Sequence, residues 1–189
     1  QRISFLHTRY DANGNRAGGG YATGSGNRLE SDGTYRYLYD QEGNRTRKFR
    51  DVDGNAELGS GDTDITEYAW DHRNRLTGVT HRTEYGAAAD KAVRYVYDHA
   101  DRLVQKKLNG AVTAKYAYQG DEVALEFNGA NSLTHRYLWG AAVDQLLADE
   151  QVGGETLWGL WDHEGSLRDA IDSSGNLEPG RVRETTAFS

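Results

Sequence analysis

Acidic side chains and glycine-rich runs are the residues of this chain whose spacing could support chemistry. Asp51-Val52-Asp53-Gly54-Asn55-Ala56-Glu57 alternates carboxylates as a calcium-binding loop does. Its glycine comes fourth, whereas the EF-hand loop needs a glycine at its sixth position, so the pattern favours an ordinary acidic turn. Gly24-Ser25-Gly26-Asn27-Arg28-Leu29 begins like a phosphate-binding loop but lacks the further glycine and the following helix, so we interpret its glycines as loop residues.

Histidine and serine could provide metal ligands or a nucleophile, but their spacing does not organise either site. The six histidines are His7, His72, His81, His99, His135 and His163. No two are spaced to bind one metal by local geometry, and no nucleophile elbow surrounds a serine. His72, His99 and His163 each follow an aromatic-aspartate pair, which predicts exposed turn positions. We therefore expect a protein that is not an enzyme and has no cofactor or metal site.

An aromatic residue followed by aspartate recurs roughly every 30 residues in the first half of the chain, a period typical of arrayed supersecondary units. Each pair precedes a turn-forming glycine, asparagine or aspartate and, in most copies, an arginine. The candidate motif residues are Tyr10, Asp11, Gly14, Asn15, Arg16, Tyr39, Asp40, Gly43, Asn44, Arg45, Trp70, Asp71, Asn74, Arg75, Tyr97, Asp98, Asp101, Arg102, Trp161, Asp162 and Gly165. The Asn44-Arg45-Thr46 sequon lies inside this motif, where asparagine serves the turn.

Each motif copy predicts a strand, a turn and a returning strand. Tyr35, Tyr37 and Tyr39 share one face of an extended segment, because side chains alternate along a strand. The aspartate that follows can accept hydrogen bonds from backbone N–H groups just beyond it, and glycine or asparagine supplies the positive φ of a tight hairpin. Asn109-Gly110, between residues 103–108 and 112–118, is the clearest hairpin turn of the chain.

Three segments are predicted to interrupt this meander. Residues 14–26 contain two glycine-rich runs and are the candidate flexible loop or excursion between strands, and residues 54–64 form a second candidate loop. Residues 85–91 contain Ala87-Ala88-Ala89, which predicts a single helical turn. The whole sequence, residues 1–189, is interpreted as one repeat array that lacks both natural ends.

The repeated motif resembles that of the YD-repeat proteins, also called Rhs repeat proteins, which are related to the shells of teneurins and of insecticidal toxin complexes. The resemblance is carried by Tyr39–Arg45, Trp70–Leu76 and Tyr97–Leu103, and it extends to Tyr137–Gly140, Trp161–Arg168 and Asp172–Asn176. It implies an all-β fold in which repeated antiparallel β-hairpins form a curved or spiralling sheet, a segment of a YD-repeat shell. The core motif and the toxin domain that follow the shell in bacterial relatives are not present in this sequence.

The resemblance also implies partners and a location. These are flanking repeats, an enclosed C-terminal toxin of the same polypeptide, and a secreted or cell-surface protein. The formal net charge of −7 argues against nucleic acid as a partner, and no apolar run is long enough to span a membrane. Hydrophobic residues make up 37% and aromatic residues 11% of the chain, which predicts a thin core built on tyrosine, tryptophan and leucine.

Two functions follow from the aromatic residues. They cement a structural wall if Tyr35, Tyr37, Tyr39, Trp70, Tyr95 and Tyr97 are buried against neighbouring strands. They bind carbohydrate or a cell-surface receptor if several are exposed together in a groove. We favour the wall, and we expect the repeated aspartates and arginines of neighbouring units to pair and fix the strand register.

Overall fold

The computed structural model describes residues 9–178, and these form β-strands joined by short turns, with one 3-10 helix at Ser25–Asn27. The earlier strands are β1 (Arg9–Tyr10), β2 (Arg16–Ala17), β3 (Tyr21–Thr23), β4 (Leu29–Asp32), β5 (Arg36–Tyr39), β6 (Arg45–Arg50), β7 (Thr63–Trp70) and β8 (Leu76–Glu84). The later strands are β9 (Lys91–Tyr97), β10 (Leu103–Leu108), β11 (Ala111–Gln119), β12 (Glu122–Phe127), β13 (Leu133–Trp139), β14 (Leu146–Gln151), β15 (Thr156–Trp161) and β16 (Leu167–Ile171).

Strands β3 to β16 form one 14-stranded antiparallel sheet in which every strand is hydrogen-bonded to its neighbours in chain order, and β1 and β2 form a separate pair. This order is that of a meander of consecutive hairpins, because each strand turns back beside the strand before it. The prediction of an all-β fold built from repeated antiparallel hairpins is therefore confirmed. The curvature of the sheet stays a prediction.

The described residues divide into two compact units. One takes the residues up to Tyr95 together with Leu108–Gly110. Its buried hydrophobic side chains are Tyr37, Phe49, Ile65 and Val93, of which Phe49 is 0% and Ile65 1% exposed. Phe49 lies on β6 and Ile65 on β7, and these two strands are paired. The two most deeply buried hydrophobic side chains of this unit therefore lie on adjacent, paired strands.

The second unit takes Val96–Lys107 and the residues from Ala111 onward. Its buried hydrophobic side chains are Ala114, Ala148 and Ala170, so only small residues are fully covered there. The expectation of a core resting on tyrosine, tryptophan and leucine holds for tyrosine, since Tyr37 is buried, but it is wrong for tryptophan and leucine, none of which is fully buried within residues 9–178. In this second unit the sheet half-covers the large side chains and fully covers only small ones.

The glycine-rich segment 14–26 contains β2, β3 and the start of the 3-10 helix, so it has regular structure where its composition suggested a flexible loop or an excursion between strands. Its backbone passes close to another part of the chain: a Cβ on Gly20 would lie 2.5 Å from the Cα of Gly33. Glycine is needed at this position because two backbones approach each other there. Residues 54–62 form the predicted loop, and β7 begins at Thr63.

Residues 85–90 join β8 to β9 as a turn and contain no helix, so the predicted helical turn is wrong. The Arg82 Nη1 donates to the carbonyl of Ala87 (2.9 Å) and the Tyr85 N–H to the carbonyl of Asp62 (2.9 Å). These contacts fix the backbone in another conformation despite the helix propensity of alanine.

Asn109 and Gly110 have φ angles of 48° and 86° between β10 and β11. Positive φ at both positions is the type I′ requirement, so the predicted hairpin turn is confirmed. No helix within residues 9–178 is long and apolar enough to cross a membrane.

Candidate functional site

The side chain of the repeated aspartate accepts backbone hydrogen bonds within the turn that it begins. The carboxylate of Asp71 accepts the backbone N–H of Arg73 (2.9 Å) and of Arg75 (3.1 Å) through Oδ1. The Asp71 N–H donates to the Arg75 carbonyl (3.0 Å), and the Asn74 N–H donates to the Asp71 carbonyl (3.0 Å). Asn74 has a φ of 57°. This is a tight turn with one left-handed residue, and its first residue supplies a side-chain oxygen that accepts the backbone N–H groups.

The same turn recurs along the chain, with the carboxylate or amide oxygen of its first residue accepting backbone N–H groups two and four residues later. Its copies begin at Asp11, Asp71, Asp98, Asn128, Asp162 and Asp172, and Asp40 forms the bond to the fourth residue. The left-handed residues of the copies are Gly14, Gly43, Asn74, Asp101, Asn131, Gly165 and Gly175. Asn128 and Asp172 follow Phe127 and Ile171, so the turn extends beyond the aromatic-aspartate motif.

A guanidinium lies against three of these carboxylates: Arg168 binds Asp162, and the other two pairs each lie within one turn. Arg75 Nε donates to Asp71 Oδ2 (2.8 Å), and Arg102 Nε donates to Asp98 Oδ2 (2.9 Å). The bond from Arg75, aided by backbone N–H groups, lowers the pKa of Asp71 to about 2. These ion pairs join residues of one turn, whereas we expected pairs between neighbouring units, so they stabilise the turn itself.

We expect the Asp71 turn to weaken in acid. Its pKa is depressed from 3.8 to about 2, so its stabilising effect is complete above pH 3.8 and is lost as the pH falls through 2. Replacing Asp71→Asn should therefore flatten the pH dependence of the unfolding free energy between pH 4 and 2, measured by urea titration. Asp121→Asn, at an exposed position, is the control and should keep the wild-type slope. Equal slopes in wild type and Asp71→Asn would contradict the assignment.

The arginines do not all occupy equivalent positions. Arg75 and Arg102 come four residues after their aspartates, but Arg16 and Arg45 come five residues after theirs. The guanidinium of Arg16 lies 4.4 Å from the ring centre of Tyr21, and that of Arg45 lies 4.6 Å from the ring centre of Tyr37. In the first two copies asparagine instead binds the aspartate side chain, as Asn44 Nδ2 does with Asp40 Oδ2 (3.1 Å). Such cation–π contacts depend on strand register and were missed in the sequence.

Aromatic side chains near the ends of strands donate hydrogen bonds to backbone carbonyls at the start of the preceding strand. Trp70, the last residue of β7, donates its Nε1–H to the carbonyl of Arg45, the first residue of β6 (2.8 Å). We call such a bond an aromatic stitch. The other stitches are Tyr39 to Leu29 (2.8 Å), Tyr118 to Leu103 (2.8 Å), Trp139 to Val123 (2.7 Å) and Trp161 to Leu146 (2.9 Å).

A register shift accompanies the stitched aromatic residues in their own hairpins. In the β7–β8 pair Ala69 is opposite Gly78, but Trp70 is opposite Leu76. The shift recurs at Leu38/Tyr39, Ala117/Tyr118, Leu138/Trp139 and Leu160/Trp161. A bulge of this kind redirects the side chain at the end of a strand.

Neighbouring turns also contact each other directly. Asn44 Nδ2 donates to Asn74 Oδ1 (2.9 Å), and Arg28 Nη1 donates to the carbonyl of Asp40 (3.1 Å). Arg102 Nη1 donates to the carbonyl of Gly120 (2.5 Å). The turns of successive hairpins are therefore linked by side-chain to backbone and amide to amide bonds.

The six aromatic residues chosen to distinguish wall from binding surface are covered. Tyr37 is buried at 8% exposure, and Tyr35, Tyr39, Trp70, Tyr95 and Tyr97 are half-buried. Trp158 and Leu160 on β15 and Leu138 on β13 are more exposed, at 43%, 38% and 51%. Leu138 and Trp158 both pair with Ala148, so they lie on one face of the sheet. Apolar side chains are therefore exposed on this sheet, but they belong to residues outside the repeated motif.

The acidic residues Asp51, Asp53 and Asp62 lie close together, but their oxygens already accept hydrogen bonds. Asp62, 1% exposed, accepts the N–H of Val52 through Oδ1 (3.0 Å) and that of Gly59 through Oδ2 (2.8 Å). Asp51 accepts the N–H of Gly54 (2.8 Å). These hydrogen bonds hold the acidic turn around the buried Asp62.

The histidines fall into two groups. His72, His99 and His163 are exposed, as predicted for turn residues. His81 on β8 and His135 on β13 contact carboxylates: His135 Nδ1 lies 2.7 Å from Asp149 Oδ1, and His81 contacts two aspartates described below. His7 lies outside the described residues.

No protein-family model matches this chain, and no curated protein matches it. Solved structures do match. The crystal structure of TcdB2-TccC3-TEV has a TM-score of 0.49 and 17% identity over 94% of this chain and 10% of its own. The crystal structure of TcdB2-TccC3-Cdc42 has a TM-score of 0.34 and 16% identity over 90% of this chain and 8% of its own.

A third match is the Tc holotoxin pore of Photorhabdus luminescens with a mutant TccC3, with a TM-score of 0.34, 15% identity, and coverage of 90% of this chain and 8% of its own. This chain thus spans about a tenth of the length of these proteins. All three solved structures contain TccC3, and the third is a Tc holotoxin pore.

Proposed function

We propose that this chain is a structural β-shell segment of a secreted Rhs/YD-repeat protein, and that the shell encloses or presents a toxin or effector. The aromatic stitches carry the proposal. Five of them join one hairpin to the preceding one, from Tyr39 to Trp161. Residues that bind a ligand gather at one place, whereas these are distributed along the sheet as a wall requires.

The other motif residues support the same role. The aspartates are occupied by their own turns, as for Asp40, whose oxygens accept from Asn44 (2.7 and 3.1 Å). The guanidinium of Arg45 covers a tyrosine ring. We therefore propose a non-catalytic role, with flanking repeats and an enclosed segment of the same polypeptide as partners. No nucleic acid is expected, because the net charge is −7.

Removing one stitch should weaken the sheet. Trp70→Phe keeps a ring but removes the N–H that binds the Arg45 carbonyl, and we expect the free energy of unfolding to fall by about 1 kcal/mol. Trp158→Phe is the control, because Trp158 is 43% exposed and lies mid-strand. Chemical denaturation of both variants measures the difference. A control that loses as much stability as Trp70→Phe would show that the stitch contributes nothing specific.

The enclosing role needs a separate test, in the natural polypeptide that carries this chain. We expect protease to leave the wall and an enclosed segment intact, and to degrade that segment when Trp70, Trp139 and Trp161 are all changed to phenylalanine. Degradation of the segment at the same rate in wild type and variant would rule out enclosure by these hairpins.

A carbohydrate- or receptor-binding surface is the second candidate, and the exposed Trp158 favours it. Its neighbours Leu138 and Leu160 are also exposed, and a flat indole can stack on a sugar ring. Screening the chain against glycans would show binding that Trp158→Ala removes without a change in stability. A wall segment alone would bind no glycan in this screen.

A further inference from the structure

His81 is held between two aspartates in the unit that includes β7 and β8. Its Nδ1 lies 2.7 Å from Asp90 Oδ1, and its Nε2 lies 3.0 Å from Asp64 Oδ1. Asp64 lies on β7, His81 on β8, and Asp90 immediately before β9. One imidazole therefore connects three consecutive segments of the chain. Neither the repeated motif nor the stitches involve these residues.

The number of protons on the imidazole decides whether both contacts are favourable. An ionised carboxylate only accepts hydrogen bonds, and a neutral imidazole has a single N–H donor. With a neutral His81, one ring nitrogen would turn its lone pair toward a carboxylate oxygen. Both contacts of the observed geometry are hydrogen bonds only when the imidazole carries two protons.

The carboxylates are positioned to stay ionised. Asp64 Oδ2 accepts the hydroxyl of Tyr35 (2.5 Å). This bond and the contact with His81 lower the pKa of Asp64, and the bond to His81 lowers that of Asp90. The proton that completes the two contacts therefore belongs on the histidine.

Other charged groups around His81 come from each neighbouring element. On β9, Lys91 is its cross-strand partner, and on β7 the partner is the neutral Thr66. Lys48 on β6 pairs with Thr66, and its Nζ lies 3.7 Å from the ring centre of Tyr35. The guanidinium of Arg50 lies 5.8 Å from the same ring. The lysines and Arg50 oppose the positive charge on His81, so the two aspartates must outweigh them.

We propose that His81 is a pH-dependent clamp that fastens the end of the β8–β9 turn to β7 in mild acid and releases it as the pH rises. What is released is limited. Tyr85 and Ala87 stay bonded to Asp62 and Arg82, so the change is confined to the segment around Asp90. Asp64 is held at a φ of 51° within a strand, a backbone conformation that is sparsely populated for residues other than glycine. Its side-chain bonds to Tyr35 and His81 support that conformation.

The direction of the pH effect follows from the charge. The bonds to Asp64 and Asp90 raise the pKa of His81 above 6.5. A group whose pKa is raised on folding stabilises the fold below its unfolded pKa, and this stabilisation is lost as the pH rises through the folded pKa. The clamp is therefore complete below about pH 6.5 and opens as the pH rises through the raised pKa of His81.

The test measures the titration of His81 by NMR and the unfolding equilibrium constant of the whole chain at pH 5.5 and 8.5. We expect a His81 midpoint above 6.5. We also expect that His81→Gln removes a roughly threefold to tenfold rise in the unfolding constant between the two pH values. His163→Gln is the matched control, since the His163 side chain is 88% exposed, and it should retain the wild-type pH dependence.

Asp90→Asn provides a second readout if His81→Gln does not fold. It removes one negative partner and should lower the His81 midpoint, and it should speed hydrogen exchange at residue 90, whose N–H donates to the His81 carbonyl (3.2 Å). A His81 midpoint at or below 6.5 in the wild type would overturn the proposal. The same pH dependence in His81→Gln and wild type would overturn it as well.

Discussion

Phe49→Ala is expected to lower the free energy of unfolding by about 3 to 5 kcal/mol. Phe49 is 0% exposed and packs in the same unit as Ile65, which is 1% exposed. Removing the ring leaves a cavity at the buried centre of this unit, and a sheet with few buried side chains has little means to fill it. Denaturant titration of the chain provides the measurement.

Two further variants test whether the loss of stability comes from the cavity or from substitution in general. Phe49→Leu keeps most of the buried volume and should cost less than about 1.5 kcal/mol. Val52→Ala changes a side chain that is 61% exposed and should change stability by less than about 0.5 kcal/mol. If Phe49→Ala lost no more than Phe49→Leu, the centre of this unit would lie elsewhere.

Asp62→Ala is expected to cost about 2 to 4 kcal/mol, because it leaves two backbone N–H groups without acceptors. Asp62 is 1% exposed, and its oxygens accept from Val52 (3.0 Å) and Gly59 (2.8 Å). Asp53→Ala is the control from the same turn, since Asp53 is exposed and accepts from the adjacent Asn55. Thermal and denaturant unfolding should show a much larger loss of stability for Asp62→Ala than for Asp53→Ala. Equal losses would mean that water replaces the Asp62 carboxylate.

Local interactions were predictable from the sequence. The aspartate of each motif binds N–H groups two and four residues away, as Asp98 does with Ala100 and Arg102, so residue type and spacing are enough to predict the turn. The type I′ turn at Asn109-Gly110 is predictable for the same reason. A chain of such turns then requires a meander.

Contacts between hairpins were not predictable, because they depend on strand register. The stitch from Trp139 to Val123 crosses 16 residues, and the bulge that accompanies it cannot be located from alternation alone. The same holds for His81, whose partner Asp64 lies 17 residues away on another strand. The spacing of the histidines in the sequence indicated no metal site, and it gave no sign that His81 would lie between two carboxylates. The pairing of the strands brings these groups together.

Composition misled where a distant contact decides the conformation. Residues 14–26 are rich in glycine, which suggested a loop, but Gly20 lies against Gly33 and permits a close backbone approach. Ala87 favours helix, but its carbonyl accepts a hydrogen bond from Arg82. In both segments tertiary contacts outweigh local propensity.

The aromatic stitches have a consequence for how such a chain can evolve. Each one connects a hairpin only with its predecessor, so the interactions that hold the array are those between nearest neighbours. Duplication or deletion of a whole hairpin by recombination would bring an existing donor to an equivalent existing acceptor. Lineages could thereby lengthen or shorten the array in steps of one hairpin without inventing a new contact.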